Sequence, residues 1–195
     1  MILLALLALL LTFPCNCALG QTESASTDRI PVLTVCEALQ DLSAYNNKSL
    51  IVIGRFVKTS EGTWITDDCE RKIVTDGYTW DNLIWAVYIA GVTEPPPSLP
   101  ANFHWDNELL MKKAVTSKDY NKYPDHKGWI AMFGRLEAKI PPEAYKNFTG
   151  EIRGRGFGHL GGAIAQFISQ GSDCVYSLEE PIPLPARKGV TELPH

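Results

Sequence analysis

A chain of 195 residues that is 45% hydrophobic and 21% charged has the composition of a folded domain, which excludes a disordered or collagen-like protein. Its formal net charge of −4 argues against a general electrostatic grip on nucleic acid, so no nucleic-acid partner is expected. Past the first residues, no apolar run approaches the roughly 18 residues a membrane span needs.

Residues 2–13 (ILLALLALLLTF) are apolar but too short to cross a bilayer; Pro14 ends the run, and Ala18-Leu19-Gly20 offers small residues to a signal peptidase. The segment reads as a secretory signal, residues 1–20, and predicts a secreted or periplasmic protein with no transmembrane segment after cleavage. Cleavage removes Cys15 and Cys17 and leaves Cys36, Cys69 and Cys174, an odd number that allows one intramolecular bridge at most. An oxidising compartment favours a bridge, and Cys36–Cys69 is the preferred pair, a helix cysteine above the end of a strand. The alternative is three buried thiols acting as small hydrophobes. No Cys-x-x-Cys spacing suggests a thiol zinc site, and no cofactor is expected.

Residues 21–31 (QTESASTDRIP) are a polar, flexible lead. Thr34 and Glu37 then form a capping box for a short helix in which Val35, Leu39 and Leu42 recur at helical spacing. Asn46-Asn47 ends it. Three strands are predicted next: 49–58 (SLIVIGRFVK), with a bend at Gly54, then 63–67 (TWITD), then 82–90 (NLIWAVYIA). A stiff proline stretch follows, and Asp106 caps a helix over 107–115. Residues 129–140 (WIAMFGRLEAKI) form a fourth strand with Gly134 at its centre, closed by Pro141-Pro142. Glycine-rich 154–162 leads into a strand at 163–170, and 173–177 extends or follows it. The proline-rich tail, 178–195, lies beyond the domain at 32–177.

This succession predicts a mainly β protein: a five-stranded Greek-key barrel of OB type, with an N-terminal helix and a helix between strands three and four. Central glycines in strands one and four suit the tight coiling of a small barrel. The alternative is a generic α+β sheet with one covered face.

Val35-Cys36-Glu37-Ala38-Leu39, then Tyr45-Asn46-Asn47-Lys48 running into Ile51-Val52-Ile53-Gly54, resembles the opening of a bacterial family of small secreted domains. Glu61-Gly62, Asp67-Asp68-Cys69 and Phe157-Gly158-His159-Leu160-Gly161 resemble it as well, with Asn47 standing where that pattern has glycine. The resemblance implies export and an OB-like core, and no activity.

Gly156, Gly158 and Gly161 spell the dinucleotide fingerprint, but no strand–turn–helix unit surrounds them, so they read as a turn. Arg153, Arg155 and His159 in the same stretch are the candidate ligand-binding residues, because glycine-loop amides beside guanidinium groups suit a phosphate or carboxylate. Trp64, Trp80 and Trp85 add aromatic surface of the kind that stacks sugars or bases, with core packing as the plainer role. Asp67, Asp68 and Glu70 are a candidate metal cluster beside Asp76, and a solvated acidic turn is the competing account. No Gly-x-Ser-x-Gly elbow is present, and His104, His126, His159 and His195 have no nucleophile at a recognisable spacing.

The expectation is therefore an exported, non-catalytic binding module of the cell envelope, presenting Trp64, Trp80, Arg153, Arg155 and His159 to a small anion, glycan or envelope protein. A metal-dependent hydrolase using Asp67, Asp68 and Glu70 and a purely structural envelope protein are the alternatives.

Overall fold

Thr34 converts the chain from strand to helix in the computed structural model, which describes residues 29–88, 94–122 and 125–179. The expected signal, most of the lead and most of the tail lie outside the described residues. At the end of β1 (Val32–Thr34), the Thr34 hydroxyl accepts from the Glu37 amide at 3.2 Å and the Glu37 carboxylate accepts from the Thr34 amide at 2.9 Å. That reciprocal cap starts α1 (Val35–Gln40). Asp41 then breaks the helix and caps α2 (Leu42–Tyr45), so the single predicted helix is two short ones. Asn47, at φ +59°, turns the chain into β2 (Lys48–Thr59).

A tight connection leads to β3 (Gly62–Thr66), followed by a small hairpin of β4 (Val74–Thr75) and β5 (Tyr78–Thr79), and then by β6 (Leu83–Tyr88). Two helices follow, α3 (Asn107–Ala114), capped by Asp106, and α4 (Lys118–Lys122). The remaining strands are β7 (Trp129–Ala138), the hairpin of β8 (Ala144–Lys146) and β9 (Ile152–Gly154), β10 (Ala165–Ser169) and β11 (Val175–Ser177).

β2, β3, β6, β10 and β7 are hydrogen-bonded in that order, and β7 pairs back onto β2, closing a five-stranded barrel. Numbered along the chain this is the order 1-2-3-5-4 of an OB-like barrel, antiparallel except between β6 and β10. β2 serves two neighbours: residues 48–55 pair with β7 and residues 55–59 with β3. The strand therefore bends at Gly54, where a Cβ would lie 2.7 Å from Ile65 Cγ2 and 2.9 Å from the Thr66 carbonyl.

Two apolar clusters explain the strand patterns. Inside the barrel, Leu50, Val52, Ile65, Ile84, Met132, Leu136 and Phe167 pack together, and α1 joins them through Val35, Ala38 and Leu39. On the opposite face of β2 and β7, Ile51, Ile53, Ala131 and Phe133 pack against Leu110 and Ala114 of α3 and Tyr120 of α4. β2 and β7 are thus buried on both faces, and their sequences are unbroken apolar runs rather than alternating ones. Cys36 and Cys69 form a disulfide, tying α1 to the segment after β3, and Cys174 is a buried free thiol in the second cluster.

β1, both hairpins and α4 go beyond the predicted elements. The Asp76-Gly77 turn, with φ of +50° and +80°, is the two-residue hairpin signature that the sequence carried at that point.

Candidate functional site

The long connection from β7 to β10 carries the candidate site. In the β8–β9 hairpin Tyr145 stands directly opposite Arg153, so both side chains leave the same face. Arg155, two residues on, places its guanidinium 5.3 Å from the centroid of the Tyr145 ring. The other face of the hairpin is closed against the protein: a Cβ at Gly154 would lie 2.6 Å from the Trp80 ring.

The chain then folds back on itself. The Gly156 amide donates to the Gly161 carbonyl at 2.9 Å, the Gly161 amide donates to the Gly158 carbonyl at 3.1 Å, and Phe157 and Ala163 exchange both backbone bonds. This small ring holds His159 exposed, and Arg153, Arg155 and His159 line one open pocket together with Tyr145, Gly158 and Leu160. Among the described residues, the amides of Gly158, His159 and Leu160 donate to no protein acceptor. The fingerprint glycines are thus a turn between strands with no helix behind it, as their setting predicted.

The two arginines differ in electrostatic setting. Arg153 donates to the Glu151 carboxylate at 2.9 Å, a contact that holds Glu151 below the usual carboxylate range and raises Arg153. Arg155 has the Tyr145 ring and no carboxylate partner among the described residues, so its charge is available to a ligand.

The tryptophans divide. Trp64 is half-buried on β3, its Nε1 donates to the Thr59 hydroxyl at 3.3 Å, and a Cβ on Gly158 would lie 2.6 Å from its benzenoid ring. It therefore touches the glycine turn from beneath. Trp80, expected to present a face to a ligand, is buried instead: it is 1% exposed, stacks edge-on with Tyr78 and donates to the Thr75 hydroxyl at 2.7 Å. The β8–β9 hairpin covers it, and its part is to support that hairpin.

The acids stand apart from the arginines. Glu70 pairs with Lys118, and Asp67 Oδ1 accepts from the Ser117 hydroxyl at 2.6 Å and from the Asp68 amide at 2.8 Å. Asp67, Asp68 and Glu70 line a pocket beside the disulfide that shares no residue with the arginine pocket. Among the described residues, no group of three or more His, Cys, Asp or Glu side chains is placed to hold a metal ion.

Asp67 is itself informative. Burial pushes its carboxyl above the usual carboxylate range and Asp119 and Asp68 add to the rise, against the lowering by the Ser117 hydroxyl and the Asp68 amide. Its Oδ2 is buried without a hydrogen-bond partner among the described residues. A carboxyl whose folded pKa is raised binds its proton more tightly in the folded state. Its contribution to stability is fully present below the unfolded pKa and is lost as pH rises through the folded one. Asp67→Asn keeps the Oδ1 acceptor and removes the charge. It is expected to stabilise the fold by about 1 kcal/mol at pH 7 and to make stability less dependent on pH above about 4. Urea unfolding at pH 4 and pH 7 measures both, and a variant less stable than the parent at pH 7 contradicts the assignment.

Comparison of the chain with protein-family models, with curated proteins and with solved structures finds no match in any of the three.

Proposed function

We propose that this chain is a non-catalytic binding module of the cell envelope that holds an anionic group between the β8–β9 hairpin and the 156–162 turn. The observation that carries the reading is the convergence of Arg153, Arg155 and His159 on one open pocket, with Arg155 lacking a carboxylate partner among the described residues. Three adjacent amides without protein acceptors among the described residues add donors of the kind that bind phosphate or carboxylate oxygens. Residues 1–20, with their signal-like pattern, and the Cys36–Cys69 bridge support an exported module.

Titration with inorganic phosphate and with acetate, followed by amide NMR shifts, tests the reading. The largest shifts are expected at Gly158, His159 and Leu160. Arg155→Ala is expected to weaken binding about tenfold or more, the usual effect of losing one charge-assisted hydrogen bond. Shifts concentrated elsewhere, or an Arg155→Ala variant that binds both anions as before, would remove the pocket as the binding site.

A further inference from the structure

Trp64 is the end of a row that runs across the outside of the barrel. It is paired with Trp85 across β3 and β6, Trp85 is paired with Gln166 across β6 and β10, and Gln166 is paired with Glu137 across β10 and β7. Directly paired side chains share a face, and neighbouring strands are about 4.8 Å apart. The adjacent Ile65 and Ile84 point inward and are fully buried, so the half-buried tryptophans belong to the outer surface. Both indoles lean over the same residue: a Cβ at Gly62 would lie 3.0 Å from Trp85 Nε1 and 3.6 Å from Trp64 Cζ2. Gly62 thus leaves room for two neighbouring indoles.

The polar end of the row is held as firmly. Arg135, 9% exposed, donates to Glu137 Oε1 from Nε at 3.1 Å and from Nη2 at 2.8 Å. Glu137 Oε2 accepts from Gln166 Nε2 at 2.6 Å. A carboxylate only accepts, so Gln166 must turn its amino group to Glu137, which leaves its carbonyl oxygen facing away. Among the described residues, that oxygen accepts no hydrogen bond and the Trp85 indole N–H donates none. The face therefore combines two aromatic surfaces, one oriented acceptor and one unused donor. At its Trp64 end Gly158 is shared with the pocket that Arg155 lines.

We infer that this face binds an extended acidic oligosaccharide, with sugar rings on Trp64 and Trp85, hydroxyls on Gln166 and the Trp85 N–H, and a carboxylate at Arg155. The inference rests on the anion pocket proposed above and names its ligand class. Sugar rings match the surface because their C–H faces are apolar and their rims carry hydroxyls that donate and accept, while strand spacing is close to the length of one pyranose unit. A single-stranded nucleic acid also stacks on aromatics, but the Gln166 carbonyl needs a donor, which a sugar hydroxyl supplies and a phosphodiester group does not.

Calorimetric titration of the folded protein with galacturonate, its hexamer, cellohexaose and a thymidylate hexamer tests the inference. The acidic hexamer is expected to bind about tenfold or more tighter than the monomer, and more tightly than either other hexamer. Trp85→Ala and Gln166→Leu should each weaken the hexamer about tenfold and leave the monomer unchanged, whereas Arg155→Ala should weaken both. Gln166→Leu keeps the test decisive should Trp85→Ala fail to fold. A hexamer that binds no tighter than the monomer, that is matched by cellohexaose or the nucleotide, or that is indifferent to Gln166→Leu overturns the inference. Monomer, phosphate or acetate binding that still depends on Arg155 would leave the anion pocket standing. Loss of all of these would remove the pocket as well.

Discussion

Replacing both Cys36 and Cys69 with alanine lowers the free energy of unfolding by about 3–4 kcal/mol, a large part of the roughly 5–15 kcal/mol that holds a domain together. The half-cystines are separated by 33 positions, and the loop they close contains all of β2 and β3. In the chain-entropy account, most of the effect is the restriction the bridge places on the unfolded chain. A smaller part is local: the bridge anchors the segment after β3 to α1, and Cys69 itself is 7% exposed. Urea unfolding of the bridged protein and the double variant measures the difference. The variant's unfolded state is more expanded, so its m-value should rise. A difference under about 1 kcal/mol would mean that the bridge restrains little that the fold does not already restrain.

Gly134→Ala is expected to cost about 3 kcal/mol and to lower the melting temperature by roughly 10 °C. An added Cβ would lie 2.4 Å from the Ile168 carbonyl oxygen and 2.7 Å from Phe167 Cε1, and neither can move aside freely. Phe167 is fully buried, and the Ile168 backbone belongs to β10, whose pairing with β7 begins at the next residue, Arg135. Gly134 sits where β7 passes from β11, paired at residues 130–132, to β10, paired at residues 135–138. An alanine there pushes apart the two strands whose pairing helps to close the barrel. Thermal unfolding followed by near-ultraviolet circular dichroism measures the loss, and a variant within about 1 kcal/mol of the parent would show that β10 shifts at little cost.

The clearest local signals carry over to the structure, except at Asp76-Gly77, whose hairpin signature the expected elements left out, and at Asp41, where one expected helix is two. The Thr34–Glu37 capping box lies within four consecutive residues, so its signal needs nothing from the rest of the chain. The apolar runs of β2 and β7 were legible because burial on both faces leaves no polar positions to interrupt them. Arg153, Arg155 and His159 could be grouped because they are close in sequence within one glycine-rich connection. The elements that escaped are short ones stabilised by pairing. β1 has three residues and is held by parallel bonds to β2, and β8 and β9 are held by each other across a turn built on Asn147.

The sequence by itself determined a mainly β chain with short capped helices, a barrel-compatible order of strands and a cationic glycine turn, because each depends on neighbours along the backbone. Only the tertiary structure decided which surfaces face outward. Closing β7 onto β2 set the two covered faces, folding the β8–β9 hairpin over Trp80 took that indole from solvent, and the parallel pairing of β6 with β10 set Gln166 beside Trp85. Side-chain exposure is a property of what packs across a strand, and strands distant in sequence supply that packing.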